Sequence, residues 1–175
     1  MIANPLRWSF RLQCFAGAAA CAALIGYAVF LQFHGHLEPC PLCIFQRVAF
    51  AALGLVFLLA GLHAPRTTRG RRGWGVPALL AAATGIGIAG RHVWLQHLPA
   101  DEVPMCGPGL EFLTEMMPLS SVIRTVLTGS GECARVDWTF LGLSMPEWSL
   151  AWFVVLAAWI VVVMFLPGKG RHVRA

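Results

Sequence analysis

The sequence predicts an all-α integral membrane protein: a bundle of four transmembrane helices with one long outer loop carrying short interfacial helices. Three observations lead there. The 175-residue chain is 58% hydrophobic by residue type and only 12% charged, against about 25% charge in an ordinary soluble domain. Four apolar runs, at about 12–33, 44–62, 74–95 and 150–166, approach the roughly 20 residues a helix needs to cross a bilayer. The basic residues cluster where a four-span chain would return to one side. With so much of the chain assigned to lipid, residues 1–175 are expected to form a single membrane domain.

The charge pattern orients the spans. Of 13 Lys and Arg residues, nine sit in three patches: Arg7 and Arg11; Arg66, Arg69, Arg71 and Arg72; Lys169, Arg171 and Arg174. These patches precede the first run, join the second to the third, and follow the fourth. The positive-inside rule makes that side cytoplasmic. The formal net charge of +5 is thereby explained by topology, and no nucleic-acid partner is expected. All eight acidic residues fall on the other side, in the 34–43 gap or the 96–149 loop. Both termini and the 63–73 loop are then cytoplasmic. Cys40, Cys43, Cys106 and Cys133 face outward, where disulfides persist.

Along the chain, residues 1–11 read as a cytoplasmic arm. Its arginines ahead of an apolar run are like those of a signal peptide, but the run is long and more spans follow, so an uncleaved first span is expected. That span is rich in Ala and Gly, which permits close helix packing. Cys14 and Cys21, seven residues apart, can share a helix face and read as small apolar packing residues. Pro41 suits the first turn of the second helix, where its missing N–H costs nothing. The glycines of the third span form a smooth packing surface rather than a phosphate loop. In the 96–149 loop, Val122, Ile123, Val126 and Leu127 have helical spacing. They predict a short amphipathic helix that rests on the membrane, plugs the loop onto the bundle, or does both. Residues 129–131 form a turn leading to Cys133, and Trp148 and Trp152 are interface anchors for the chain's return.

The chemistry-bearing residues concentrate at the outer rim. Cys40 and Cys43 form a Cys-x-x-Cys pair between two spans. A helix beginning there offers its N-terminal N–H groups and dipole to a thiolate, and Cys43 is the better placed of the two. The motif alone also serves structural disulfides and metal sites. Zinc would take four ligands, and the four outward cysteines supply that number, but an oxidising compartment favours disulfides and no metal is expected. Arg47 follows Cys43 by one helical turn. It reads either as an interface anchor that snorkels or as a cation that stabilises negative charge on an oxygen-bearing redox partner. His92 can donate a hydrogen bond or a proton to the same molecule. Arg91, beside it near the outer end of the third span, joins it as a candidate for the same site.

Two stretches carry a resemblance to a known family. They are Pro39-Cys40-Pro41-Leu42-Cys43-Ile44-Phe45-Gln46-Arg47 and Gly131-Glu132-Cys133-Ala134-Arg135-Val136-Asp137-Trp138, the latter continuing through Phe140-Leu141-Gly142-Leu143-Ser144-Met145-Pro146-Glu147-Trp148. Together with four spans and Met105-Cys106-Gly107, they make a chain that resembles the DsbB family of bacterial inner-membrane disulfide bond formation proteins. The resemblance implies a protein-dithiol:quinone oxidoreductase. It would reoxidise a periplasmic DsbA-like thiol oxidase and pass the electrons to ubiquinone or menaquinone in the lipid bilayer. By that likeness Cys106 forms the mixed disulfide with the partner and Cys133 resolves it. Cys40 receives the electrons, Cys43 faces the quinone, and Arg47 and His92 belong to the quinone site. Trp138 follows Cys133 at the family spacing. Departures are Pro41-Leu42 inside the pair and Gln46, where some relatives have an acidic residue. Cys14 and Cys21 have no part in the family's route. Three further readings stay open on the cysteine layout: a reductase running in reverse, a membrane scaffold with two structural disulfides, and a metal-binding membrane protein.

Overall fold

The computed structural model describes residues 8–35, 37–99, 101–104, 112 and 115–165. Four of its helices are long and apolar enough to cross a membrane. They are α1 (Phe10–His34), α2 (Pro41–His63), α3 (Thr68–Gln96) and α6 (Met145–Ile160), the last running on into a π-helical turn, Val161–Phe165. Between α3 and α6 come α4 (Leu119–Thr128), the single-turn α5 (Gly131–Ala134), and a hairpin of β1 (Thr139–Phe140) and β2 (Leu143–Ser144). The protein is therefore mostly helical and four-spanned, as its sequence predicts.

Each long helix begins earlier than its apolar run, because a capping residue rather than hydropathy sets the start. Ser9 Oγ accepts from the Leu12 N–H at 3.3 Å and opens α1. Thr67 Oγ1 accepts from the Gly70 N–H at 3.1 Å and opens α3. That start lies six residues ahead of the expected 74. It takes Arg69, Arg71 and Arg72 into the helix and reduces the expected 63–73 loop to residues 64–67. Arginine is a good helix former, so a basic stretch after a capping threonine joins the helix. In α6, the Glu147 carboxylate accepts the Ser144 N–H at 2.6 Å, and Ser144 Oγ donates to Gln96 Oε1 at 2.7 Å. The start of α6 is thus tied to the end of α3.

Packing runs α1 on α2, α2 on α3, and α3 on α6. Large rings fill the spaces that glycines leave. The Phe57 ring lies on Gly17, Phe153 on Gly85, and Phe165 on Gly75. Phe153 also stacks on Phe50, with centroids 3.8 Å apart. Cys14 and Cys21 are buried in the same core, against Gly61 and Gly54 of α2, which fits the packing role read from the sequence. Leu55, Leu59, Val76, Leu80, Val154 and Val155 point outward. In water they would form a costly patch, whereas lipid chains accept them.

The loop helix α4 lies over the bundle. Val122 and Val126 are buried in a cluster with Leu42, Ile88, Leu95 and Cys133, while Leu119, Ile123 and Leu127 stay exposed. The plug is real, and an apolar outer face remains. The hairpin is not foreseen in the all-α expectation. Its register pairs Thr139 with Ser144 and Phe140 with Leu143. The connecting Leu141 and Gly142 have φ of 52° and 79°, as a two-residue type I′ turn demands.

A Cβ on Gly85 would run into the Phe153 ring, whereas nothing lies within 4 Å of one on Gly87. Gly85→Ala should therefore lower stability by about 1–3 kcal/mol through overpacking. Gly87→Ala should leave it unchanged or raise it by up to about 1 kcal/mol. Thermal unfolding of both variants in detergent checks the contrast; equal behaviour would refute the packing account.

Candidate functional site

The site is built from the first turn of α2 outward. Cys40 is the N-cap residue, with extended φ and ψ of −65° and 163°, and Pro41 opens the helix. A thiol takes the place of the usual capping hydroxyl: the Cys43 N–H donates to Cys40 Sγ at 3.4 Å. The cap brings the two sulfurs to 3.2 Å. Disulfide closure at about 2.05 Å needs only a small side-chain rotation.

The next turn of α2 serves two neighbours. Gln46 faces α3 and is buried with His92. Its amide nitrogen lies 3.0 Å from His92 Nδ1. With the amide in this orientation, Nδ1 accepts, and the proton of the neutral ring resides on Nε2. That atom faces Cys40 Sγ at 3.7 Å. Arg47 faces α1 instead, donating from Nη1 to Gln32 Oε1 at 2.6 Å and from Nη2 to the Ala28 carbonyl at 3.2 Å. Two donors are tied to α1, so the guanidinium is held in place beside Cys43. The sequence marked Arg47 and His92 but left Gln46 as a departure. Its link to His92 depends on the α2–α3 register, which no local pattern reveals.

Two cavities meet at Cys43. One, of about 260 Å³, is almost wholly apolar and lies between α1, α2 and α6; Cys43, Arg47, Phe50, Trp138, Trp148 and Trp152 are among its lining residues. The other, of about 250 Å³, is more polar than the first, and Glu38, Cys40, Cys43, His92, Glu132 and Asp137 line part of it. Cys43, Arg47, Trp138 and Met145 border both. The hairpin forms the cover of the apolar one. Trp138 meets Tyr27 edge-on at 6.3 Å, and the Trp148 indole donates to the Phe140 carbonyl at 3.0 Å. Cys43 is thus open to both cavities.

Cys133, on α5, is buried against Leu42 and beside Cys40. The adjacent Cys40 thiol and burial push the Cys133 thiol well above the usual cysteine range. It lies next to the Cys40 sulfur, with which it can exchange once deprotonated. Cys106 lies outside the described residues. Arg91 lines neither cavity. Its Nε donates to the Leu127 carbonyl at 3.1 Å and its Nη2 to the Thr128 carbonyl at 2.8 Å, with the guanidinium 4.1 Å above the Trp94 ring. It satisfies the last carbonyls of α4, the groups that a helix end leaves without partners, and so holds the segment leading to Cys133.

Arg91→Ala should loosen that segment. Losing two hydrogen bonds from a charged donor costs about 1–3 kcal/mol locally, read as faster amide exchange over residues 119–135 while α1–α3 stay protected; unchanged exchange there would refute the tether. Cys133 makes reduced-state stability depend on pH. Because its folded pKa is raised, the folded state holds this proton more tightly than the unfolded chain. Its contribution is complete below the unfolded cysteine value, about 8.5, and falls by up to about 1.4 kcal/mol per pH unit above it. Chemical denaturation of reduced protein between neutral pH and pH 10 should show the decline, and Cys133→Ser should flatten it.

A family model described as Disulfide bond formation protein DsbB matches residues 10–163. The chain is 57% identical over 162 residues to disulfide bond formation protein B of Xanthomonas euvesicatoria pv. vesicatoria, covering 93% of this chain and 94% of that one. It is 54% identical over 168 residues to the protein of the same name from Xylella fastidiosa, covering 96% and 97%. Matches of this length take in all four long helices and both cysteine-bearing stretches around the two cavities, and the chain belongs to the DsbB family of membrane proteins in disulfide bond formation.

Proposed function

We propose that the protein reoxidises a periplasmic DsbA-like thiol oxidase and passes the two electrons to membrane quinone, ubiquinone or menaquinone, so generating disulfides de novo. The observation that carries this reading is the position of Cys43 on the wall shared by a polar and an apolar cavity, with Arg47 fixed beside it. The same reading puts the cysteine-bearing end of the bundle in the periplasm and both termini in the cytoplasm of a cell with an inner membrane.

The chain's own residues account for each transfer. A thiolate of the reduced partner attacks the Cys106–Cys133 disulfide, forming a mixed disulfide at Cys106 and releasing Cys133 as the leaving thiolate. The partner's second thiol then displaces Cys106, and the partner departs oxidised. The loop dithiol next attacks the Cys40–Cys43 disulfide. Cys133 starts beside Cys40, and the His92 Nε2–H is placed to stabilise charge on that sulfur. As the rim pair recloses to a disulfide, two electrons and two protons leave on the apolar side of Cys43. The apolar cavity fits a quinone, with an aromatic wall for a flat ring and one cation for developing oxygen charge. When bound there, a quinone supplies the two-electron, two-proton acceptor. Arg47 needs no rearrangement to meet it, because α1 already holds two of its donors.

Quinone consumption by lipid-reconstituted protein supplied with reduced periplasmic thiol oxidase tests the proposal. Cys43→Ser and Cys106→Ser should each abolish turnover. Arg47→Ala should slow it by about 10²-fold, the usual effect of removing one preorganised donor. Folded protein with both disulfides and no quinone loss would overturn the proposal. Quinol-driven reduction of the partner's disulfide would reverse its direction.

A further inference from the structure

Three metal-ligating atoms converge at the start of α2. Cys40 Sγ, Cys43 Sγ and a ring nitrogen of His92 all lie within 4.8 Å of one another. The sulfurs are 3.2 Å apart, and Cys40 Sγ is 3.7 Å from His92 Nε2. A tetrahedral zinc with bonds of about 2.3 Å to sulfur and 2.0–2.1 Å to nitrogen has ligand–ligand edges of roughly 3.5–3.8 Å. Those two edges match to within roughly 0.6 Å, and the third, from Cys43 Sγ to the ring, is within 4.8 Å and closes on a side-chain rotation. The donors stand on rigid supports: Cys40 caps α2, Cys43 lies in its first turn, and His92 is buried on α3.

The surroundings suit a cation as well. A ligating histidine gives its other ring N–H to an acceptor, which orients the ring. Gln46 is already within 3.0 Å of Nδ1, and a half-turn of its amide presents the oxygen. The polar cavity beside the triad leaves a fourth position open to water.

We propose that the reduced Cys40–Cys43 pair and His92 form a binding site for a thiophilic d¹⁰ cation of the zinc class, and that its occupancy holds the protein out of turnover. Binding turns two thiols into thiolates and releases two protons to solvent. No electron moves, since zinc has no accessible redox step. The disulfide form is excluded because each sulfur is then bonded to the other. The effect on turnover rests on the function proposed above; the site itself does not.

The test uses the full chain in detergent micelles, reduced, freed of reductant without air, and titrated with zinc against a chromophoric chelator. About one zinc per chain should bind to the reduced form through this pair, as the ligand set requires, and the disulfide form should lose that binding. Zinc should slow alkylation of Cys40 and Cys43, and a chelator should restore it. His92→Ala should weaken binding at least roughly tenfold, and Gln46→Leu roughly tenfold through the lost support of His92. Zinc that persists undiminished in a Cys40→Ser, Cys43→Ser double variant overturns the site, because other thiols would then be holding it. So does absent binding by reduced wild type with an unchanged helical circular dichroism spectrum. Quinone reduction without zinc binding removes the site and leaves the function; zinc binding without quinone reduction upholds the site and removes the function.

Discussion

The register of the whole site is set by where α2 begins. In lipid every backbone polar group needs a partner from the protein, so the N–H groups at a helix start must lie where something satisfies them. Here Pro41 removes one such N–H, and the Cys40 sulfur takes another from Cys43. The redox pair is thus also the helix cap. At about 100° of rotation per residue, the residues that follow are aimed without further instruction. Gln46 turns toward α3 and Arg47 toward α1. A shift of α2 by one residue would part Cys40 and Gln46 from His92 on α3 and Arg47 from its acceptors on α1.

That register is held by close helix contact rather than by ion pairs. The one ion pair among the described residues, Arg135 with Asp137, is exposed at 3.5 Å and contributes little. The contacts that matter are rings seated on glycines: Phe57 on Gly17 between α1 and α2, and Phe153 on Gly85 between α3 and α6. Without a hydrophobic drive between helices in lipid, such fitted surfaces are the main source of association. Gln46 and His92 add a buried polar contact between α2 and α3, where slippage would leave both groups unpaired.

What was legible in the sequence follows from the range of each interaction. The four spans, the Cys40–Cys43 pair and the one-turn offset to Arg47 are local, so periodicity and spacing exposed them. His92 is legible as a donor near the outer end of the third span, but its contact with Gln46 joins residues on different helices. Arg91 looked like a second cation for the same site. Its side chain turns instead to the carbonyls of Leu127 and Thr128, a destination set by how the loop folds back. The hairpin carries no local signal, because Leu141 in a left-handed conformation is not the Asn or Asp that marks such a turn. Hydropathy predicts late helix starts because it reports the apolar run, whereas Ser9, Thr67 and Ser144 determine where backbone hydrogen bonding begins.

The Trp159 indole donates to the Gln13 carbonyl at 3.3 Å, joining the last long helix to the first at the end of the bundle remote from Cys40 and Cys43. At the opposite end, Tyr27 and Ala28 of α1 stand across the apolar cavity from Trp148 and Trp152 of α6. Helices α1 and α6 are thus joined at one end and parted by the cavity at the other. On the function proposed above, that parting would be the side door through which a flat, oily acceptor enters from the plane of the membrane. On the same proposal, the donor side and the acceptor side would meet at a single side chain, Cys43, which lines both cavities.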